Sequence, residues 1–379
     1  MIYLDNAATS RFKPRCMTET MVKELNCSSN PGRGGHKDAI ATAEKIFGAR
    51  SLIKKLVKAN EKYEVIFSSG CTQSINLAIL GYLQNFAGQS IDVIATSNEH
   101  NATLRSLFFA KNSIRVNIIE VKPQFDGSIN PLDISRAITA DTRLICLCHA
   151  SNVTGSVSDI EAIGKVAKNS GVALLVDCAQ SLGHIDVDVT ACGIDFLACA
   201  GHKGLHGPQG VGFLVWNTDK YLHPISFGGT GTDSDDLNQP DTIPEGYEAG
   251  TVNSAGIIAL SSSIKWTMEN LRQINLQERY LTSELLKGLK NNRNVTVYGS
   301  SNCGVVSFNY KNYSSTDVGD YLNSCNIAVR SGLHCAPWIH RFLGTIERGA
   351  VRVSIGYNNT ISDVRALLLA LQKLDKINL

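Results

Sequence analysis

The sequence predicts an α/β protein built on a largely parallel sheet, followed by a smaller α+β unit. Three observations carry that expectation. Short β-rich runs alternate with helical patterns from roughly residue 15 to 215, the signature of strands joined through crossover helices. Two of these runs end in chemistry-bearing residues: Val172 to Val176 leads into Asp177, and Ile194 to Ala198 leads into His202 and Lys203. After a long helical stretch, alternation resumes from about residue 295.

Taken in chain order, Ala39 to Val57 carries apolar residues at helical spacing. Glu64 to Phe67 has the composition of a strand and runs into Ser68-Ser69-Gly70-Cys71-Thr72, after which Gln73 to Leu83 is helical. Further strands are expected at 92–95, 115–119, 143–147 and 172–176, with a helix at 160–168 among them. The segment 226–253 is rich in Gly, Asp, Thr and Pro and is expected to be a long loop, a length usually kept for function. Residues 254–289 form a helix that bridges to the second unit. There, strands at 304–308 and 350–354 precede an amphipathic helix at 362–374. The expected division is a large domain over 15–255 and a small one over 1–14 and 256–379.

Composition excludes several classes. At 379 residues, 43% hydrophobic and 18% charged, the chain suits a soluble enzyme with a large core. A net charge of +2 gives no reason to expect nucleic acid or an anionic membrane as partner. No apolar run approaches the roughly 20 residues of a membrane span, and Met1 to Asn6 lacks a signal-peptide pattern. Eleven cysteines without a C-x-x-C pair argue against a metal site or a disulfide framework. Reduced thiols in the cytoplasm are expected, with Cys146, Cys148, Cys178 and Cys199 packed as small apolar residues.

In such folds the chemistry gathers at the carboxyl ends of the strands. An aspartate and a lysine delivered there suit pyridoxal phosphate: the amine forms a Schiff base with the aldehyde, and the carboxylate keeps the pyridine nitrogen protonated. Ser69 to Thr72 opens a helix after a strand, which makes either a capped turn or, through its free N–H groups, an anion site. His100 follows the strand at 92–95 and can stack on a flat ring or donate a proton; a solvated structural histidine is the alternative. Asn152 and Gln180 follow two other strand ends and offer hydrogen bonds. Arg352 lies within an apolar run, where an internal salt bridge and a carboxylate site are both open. Arg330 to Pro337 places Arg330 and His334 near Cys335, neighbours that favour a thiolate.

These segments, in their order and spacing, resemble the class V aminotransferase superfamily, and within it the cysteine desulfurases and selenocysteine lyases. The likeness spans nearly the whole chain: Tyr3 to Thr9, Asn30 to His36, Glu99-His100-Asn101, Ser151 to Gly155, Asp177-Cys178-Ala179-Gln180, Gly201-His202-Lys203, Ala249 to Asn253 and Arg330 to Pro337. The short cysteine segment is similar to the group II members. The resemblance implies fold type I of the pyridoxal-phosphate enzymes, with a mostly parallel seven-stranded sheet. It implies that Lys203 carries the cofactor, that His100 stacks on its ring, and that Asp177 and Gln180 pair with its nitrogen and oxygen. Thr72, the Cys71 backbone and His202 would hold the phosphate, and Thr251 would reach the phosphate of a neighbouring subunit in a homodimer. Asn152 and Arg352 would bind the substrate carboxylate, while Arg33, His36, Arg330 and His334 would line the entrance. Cys335 would take sulfur from L-cysteine as a persulfide and pass it to an acceptor protein, as in iron–sulfur cluster assembly. Departures from the family pattern are Ala200 for a hydroxyl residue, Gln73 for a glutamate, and Cys71 for a small apolar residue.

Two rivals remain at this stage. A selenocysteine lyase would release selenium from L-selenocysteine at the same site, with Cys335 as acid. A non-catalytic, cofactor-binding sulfur scaffold would need no Asp177–Lys203 pair.

Overall fold

A computed structural model describes residues 1–27, 29–31, 35–232, 234–300 and 302–374. Arg33, expected at the site entrance, lies outside the described residues.

In chain order the elements are β1 (Ile2–Tyr3), α1 (Arg15–Asn26), α2 (Lys37–Leu56), β2 (Tyr63–Ser68), α3 (Cys71–Asn76), β3 (Ile91–Thr96), α4 (Asn101–Ser113), β4 (Val116–Val121), α5 (Pro131–Ala137), β5 (Thr142–Cys148), α6 (Ile160–Asn169), β6 (Ala173–Asp177), β7 (Phe196–Ala200) and β8 (Gly212–Asn217). They continue with α7 (Ser254–Lys290), β9 (Val295–Tyr298), β10 (Val305–Tyr310), α8 (Ser315–Ser324), β11 (Ile327–Ala328), β12 (Arg330–Gly332), α9 (Pro337–Phe342), β13 (Ala350–Ser354) and α10 (Ile361–Leu374). The helix expected at 73–83 starts two residues earlier, at Cys71, and continues past α3 as a π-helical turn over Leu77–Gly81.

Seven strands form the large sheet in the order β2-β8-β7-β6-β5-β3-β4. All pairings from β7 across to β4 are parallel, and β8 is antiparallel to both its neighbours. The sheet therefore matches the mostly parallel seven-stranded expectation. Strand β8 was the one that local pattern did not single out, although Gly212 to Trp216 is a continuous apolar run of the kind a doubly covered strand requires. The runs Leu144-Ile145-Cys146-Leu147 and Ala173 to Val176 are fully buried, because helices cover both faces of the sheet.

A four-stranded antiparallel sheet, β12-β13-β10-β9, stands apart, and β1 pairs in parallel with β11. The first half of α7 contributes Ile257, Ile258, Leu260 and Ile264 to the core of the large sheet. Its second half contributes Leu281, Leu285 and Leu289 to the core of the smaller one. The described residues of 226–253 are loop apart from one 3-10 turn at Glu245–Tyr247, as composition implied.

Close packing beside the large sheet depends on a missing side chain at Gly164 in α6. A Cβ there would lie 1.8 Å from the Cys192 carbonyl oxygen. Backbone on both sides leaves no soft direction for relief. Gly164→Ala is expected to lower stability by about 2–4 kcal/mol, read as a lower urea midpoint at unchanged slope.

Candidate active site

Because β2, β3, β5, β6 and β7 all point the same way, their carboxyl ends share one edge of the sheet. The loops that follow them enclose a cavity of about 230 Å³. Asp177 ends β6, Gln180 follows it, His202 and Lys203 follow β7, His100 follows β3, Asn152 follows β5, and Cys71 and Thr72 follow β2; all eight line this cavity.

Each wall has a physical reason. Asp177 is buried, and its Oδ1 accepts the Ala179 N–H at 2.9 Å and the Cys71 thiol at 3.4 Å. His100 is the N-cap of α4, its Nδ1 accepting the Ala102 N–H at 3.0 Å. The proton therefore sits on Nε2, and burial holds the ring's pKa below its usual value, so His100 is neutral. No side chain caps the first turn of α3, which leaves its N–H groups facing the cavity. Gln180 is fixed by donating Nε2–H to the Ala7 carbonyl at 2.9 Å.

The Lys203 loop is clamped from the N-terminal segment. The His202 carbonyl accepts from Ser10 N, Ser10 Oγ, Thr9 Oγ1 and Lys13 Nζ, at 3.1, 3.1, 3.3 and 3.1 Å. Lys13 also donates to the Gly207 carbonyl at 2.8 Å, and burial draws its pKa down to about 8. On the other side the loop lies flat on the Gln180 turn: a Cβ at Gly183, where φ is +96°, would sit 2.3 Å from the Gly204 backbone. Lys13 and the buried Glu99 are site-supporting residues that sequence reasoning missed. Glu99 Oε1 accepts from Thr96 Oγ1 and the Cys148 N–H, and burial raises its pKa to about 7. The only sequence signal for Glu99 is an acid beside His100.

Cys335 is exposed and lies outside this cavity's lining, on a loop held beside it. The Cys335 carbonyl accepts the Asn101 N–H at 2.7 Å, next to His100. Asn152 Nδ2 donates to the His334 carbonyl at 2.7 Å, so a cavity residue tethers the cysteine loop. His334 and Cys335 both have left-handed backbones, at φ +50° and +57°, a strained pair of non-glycine residues that persists only because those tethers impose it.

Of the two forms expected for His334 beside Cys335, positive or hydrogen-bonding, the structure has the second. His334 is buried against His340, with Nδ1 3.2 Å from His340 Nε2, and burial together with Arg352 pushes its pKa down to about 2. It is neutral, and its Nε2 faces the Arg330 carbonyl. Arg330 is half-buried in β12 and pairs across the ladder with Arg352 of β13. Arg352 makes an internal salt bridge: NH2 donates to Asp5 Oδ1 at 2.8 Å and NH1 to the Asn152 carbonyl at 3.3 Å. Its Nε remains buried without a partner among the described residues. His36 caps α2 and is exposed, and Thr251 lines a neighbouring cavity with Ser69 and Gln73; neither reaches the Lys203 cavity within this chain.

Buried neutral histidines have a consequence for acid stability. Burial lowers His149, His202 and His340 to about 4 and His206 to about 3, alongside His334. Their folded pKa values fall below the unfolded value of 6.5, so the unfolded chain binds more protons as pH drops. Their contribution is intact above pH 6.5 and is lost on acidification toward pH 4. Glu99, raised to about 7, and His184 and Asp195, also raised, have the opposite sign, three groups against six once His100 is counted with the lowered histidines. The urea midpoint is therefore expected to fall steadily from pH 7 to pH 5.

Comparison with known proteins places this arrangement. The model of the family described as aminotransferase class-V matches residues 2–367. A probable cysteine desulfurase of Methanothermobacter thermautotrophicus is 35% identical over 97% of this chain and 92% of that protein. A cysteine desulfurase of Yersinia pseudotuberculosis is 32% identical over the whole of this chain and 94% of that one. Among solved structures, the apo cysteine desulfurase from Thermococcus onnurineus superposes with a TM-score of 0.90 at 31% identity, covering 99% of this chain and 94% of that one. The cysteine desulfurase CsdA from Escherichia coli gives 0.89 at 26%, covering 99% and 95%. With the family matched over nearly its full length and the strand-end cavity in place, the chain belongs to the class-V aminotransferase family of pyridoxal-phosphate-dependent enzymes.

Proposed function

We propose that this enzyme is a cysteine desulfurase, converting L-cysteine to L-alanine and leaving the sulfur on Cys335 as a persulfide. The observation that carries the proposal is the convergence of Lys203, Asp177 and His100 on one cavity, beside an exposed cysteine tethered through Asn152. Pyridoxal phosphate fits the residues present. The uncapped first turn of α3 and His202, whose buried Nδ1 has no partner among the described residues, suit its phosphate. Asp177 suits the ring nitrogen, His100 the ring face, and Gln180 the ring oxygen. Thr251 is assigned to the phosphate of a second copy in a homodimer.

When bound, the cofactor supplies the electron sink that makes a carbanion at the substrate Cα accessible. The chain's own groups do the rest. Asn152, whose Oδ1 is buried without a partner, and the Arg352 Nε orient the substrate, the latter toward its carboxylate. Lys203 Nζ takes the Cα proton and later returns one. The Cys335 thiolate attacks the substrate sulfur: an S–S bond forms, the Cβ–S bond breaks, and its electron pair stays on Cβ, which is protonated to give alanine. Exposure of Cys335 lets an acceptor protein collect the sulfur.

The test is intact-mass spectrometry after L-cysteine is added without reductant. A mass gain of one sulfur atom on Cys335, with alanine formed in equal amount, is expected. Alanine without a sulfur adduct would transfer the assignment to a lyase.

A further inference from the structure

Resting on the function just proposed, we infer that the Cys71 thiol is a positioning residue for Asp177: its S–H donates to one carboxylate oxygen and thereby sets how strongly the other holds the proton of the cofactor's ring nitrogen. Cys71 Sγ lies 3.4 Å from Asp177 Oδ1, a normal separation for sulfur donating to oxygen. The Ala179 N–H reaches the same oxygen at 2.9 Å. Among the described residues no donor reaches Oδ2, so the carboxylate has one occupied and one free oxygen at the cavity wall.

Cys71 is fit to be a donor and unfit to be a nucleophile. Burial, followed by the Asp177 charge, pushes its pKa well up, so the thiol keeps its proton at neutral pH. The cavity it lines also bears the mark of a ligand site: Asn152, 6% exposed, holds its Oδ1 there without a partner among the described residues. The charge of Asp177 is felt by groups on each surrounding element, Glu99 and His100 after β3, Cys148 from β5, Cys178 after β6 and Cys199 from β7, and Lys203 lines the same cavity. None of these donates to the carboxylate; among the described residues its one side-chain donor is Cys71 Sγ. An aspartate relieved of one donor is more basic, so it draws the ring nitrogen's proton further toward itself and leaves less positive charge on the ring to withdraw electrons.

The experiment is a pH titration of the visible absorbance of the cofactor-loaded enzyme, comparing wild type, Cys71→Ala and Cys71→Ser. The midpoint is expected to rise by roughly half a pH unit in Cys71→Ala and to stay near wild type in Cys71→Ser, which retains a donor. An unshifted midpoint in Cys71→Ala overturns the inference. So does an equal shift in both variants, since loss of sulfur packing would then account for it. Wild-type protein with no absorbing cofactor overturns the proposed function itself, a result distinct from either.

Discussion

Lys203→Ala is expected to abolish the conversion of cysteine to alanine, with kcat falling by about 10⁴-fold or more. In the proposed mechanism the amine has two duties, holding the cofactor and moving the Cα proton, and the described residues offer no second amine on the cavity wall. Lys13 approaches the same loop, but its ammonium is spent on the Ser10, His202 and Gly207 oxygens. The loss is not one of folding. The loop is fixed through the His202 carbonyl and the Gly183–Gly204 approach, neither of which uses the Lys203 side chain. The urea midpoint should therefore match wild type while the cofactor's absorbance loses its response to cysteine. Activity within tenfold of wild type would remove Lys203 from the mechanism.

Cys335→Ala is expected to lower sulfide release from L-cysteine by about 10²–10³-fold and to eliminate the sulfur adduct. The side chain is exposed, so its removal leaves no cavity, and alanine tolerates the left-handed backbone as poorly as cysteine does. Stability should stay within about 0.5 kcal/mol of wild type. The same variant separates sulfur from selenium chemistry. Turnover of L-selenocysteine that survives Cys335→Ala, while turnover of L-cysteine does not, would mean that attack by the thiolate is needed only for sulfur.

Much of the site was legible because strand ends are marked in sequence by an abrupt change from apolar runs to Asp, Asn, His and Lys. Asp177, His100, Asn152 and Lys203 were found that way, and the parallel sheet brings them together with no further information. What local pattern could not supply was pairing over long separations. The Asp5–Arg352 bridge joins residues 347 apart, and no spacing rule distinguishes it from a free arginine. Whether His334 would be positive or hydrogen-bonding was not legible, because its neighbour in space is His340, a turn further on and inside the protein, whereas proximity in sequence pointed only to Cys335. Strand β8 escaped although its run is as apolar as those of β5 and β6: it returns antiparallel from β7 with no helix between, so the strand–helix alternation that marked the others is missing. Cys71 looked like a neutral departure from a family pattern until its sulfur was seen to meet Asp177.

The clamp on the His202 carbonyl also bears on how the protein matures. Residues 2–10 are held by partners far along the chain, His202, Ala328 and Ser354. Contacts across such long sequence separations close slowly and form late in folding. The sheet edge can assemble earlier, but the Lys203 loop is fixed only when the segment carrying Thr9, Ser10 and Lys13 docks onto the His202 carbonyl. A partly folded molecule would thus carry the sheet without a settled Lys203 loop.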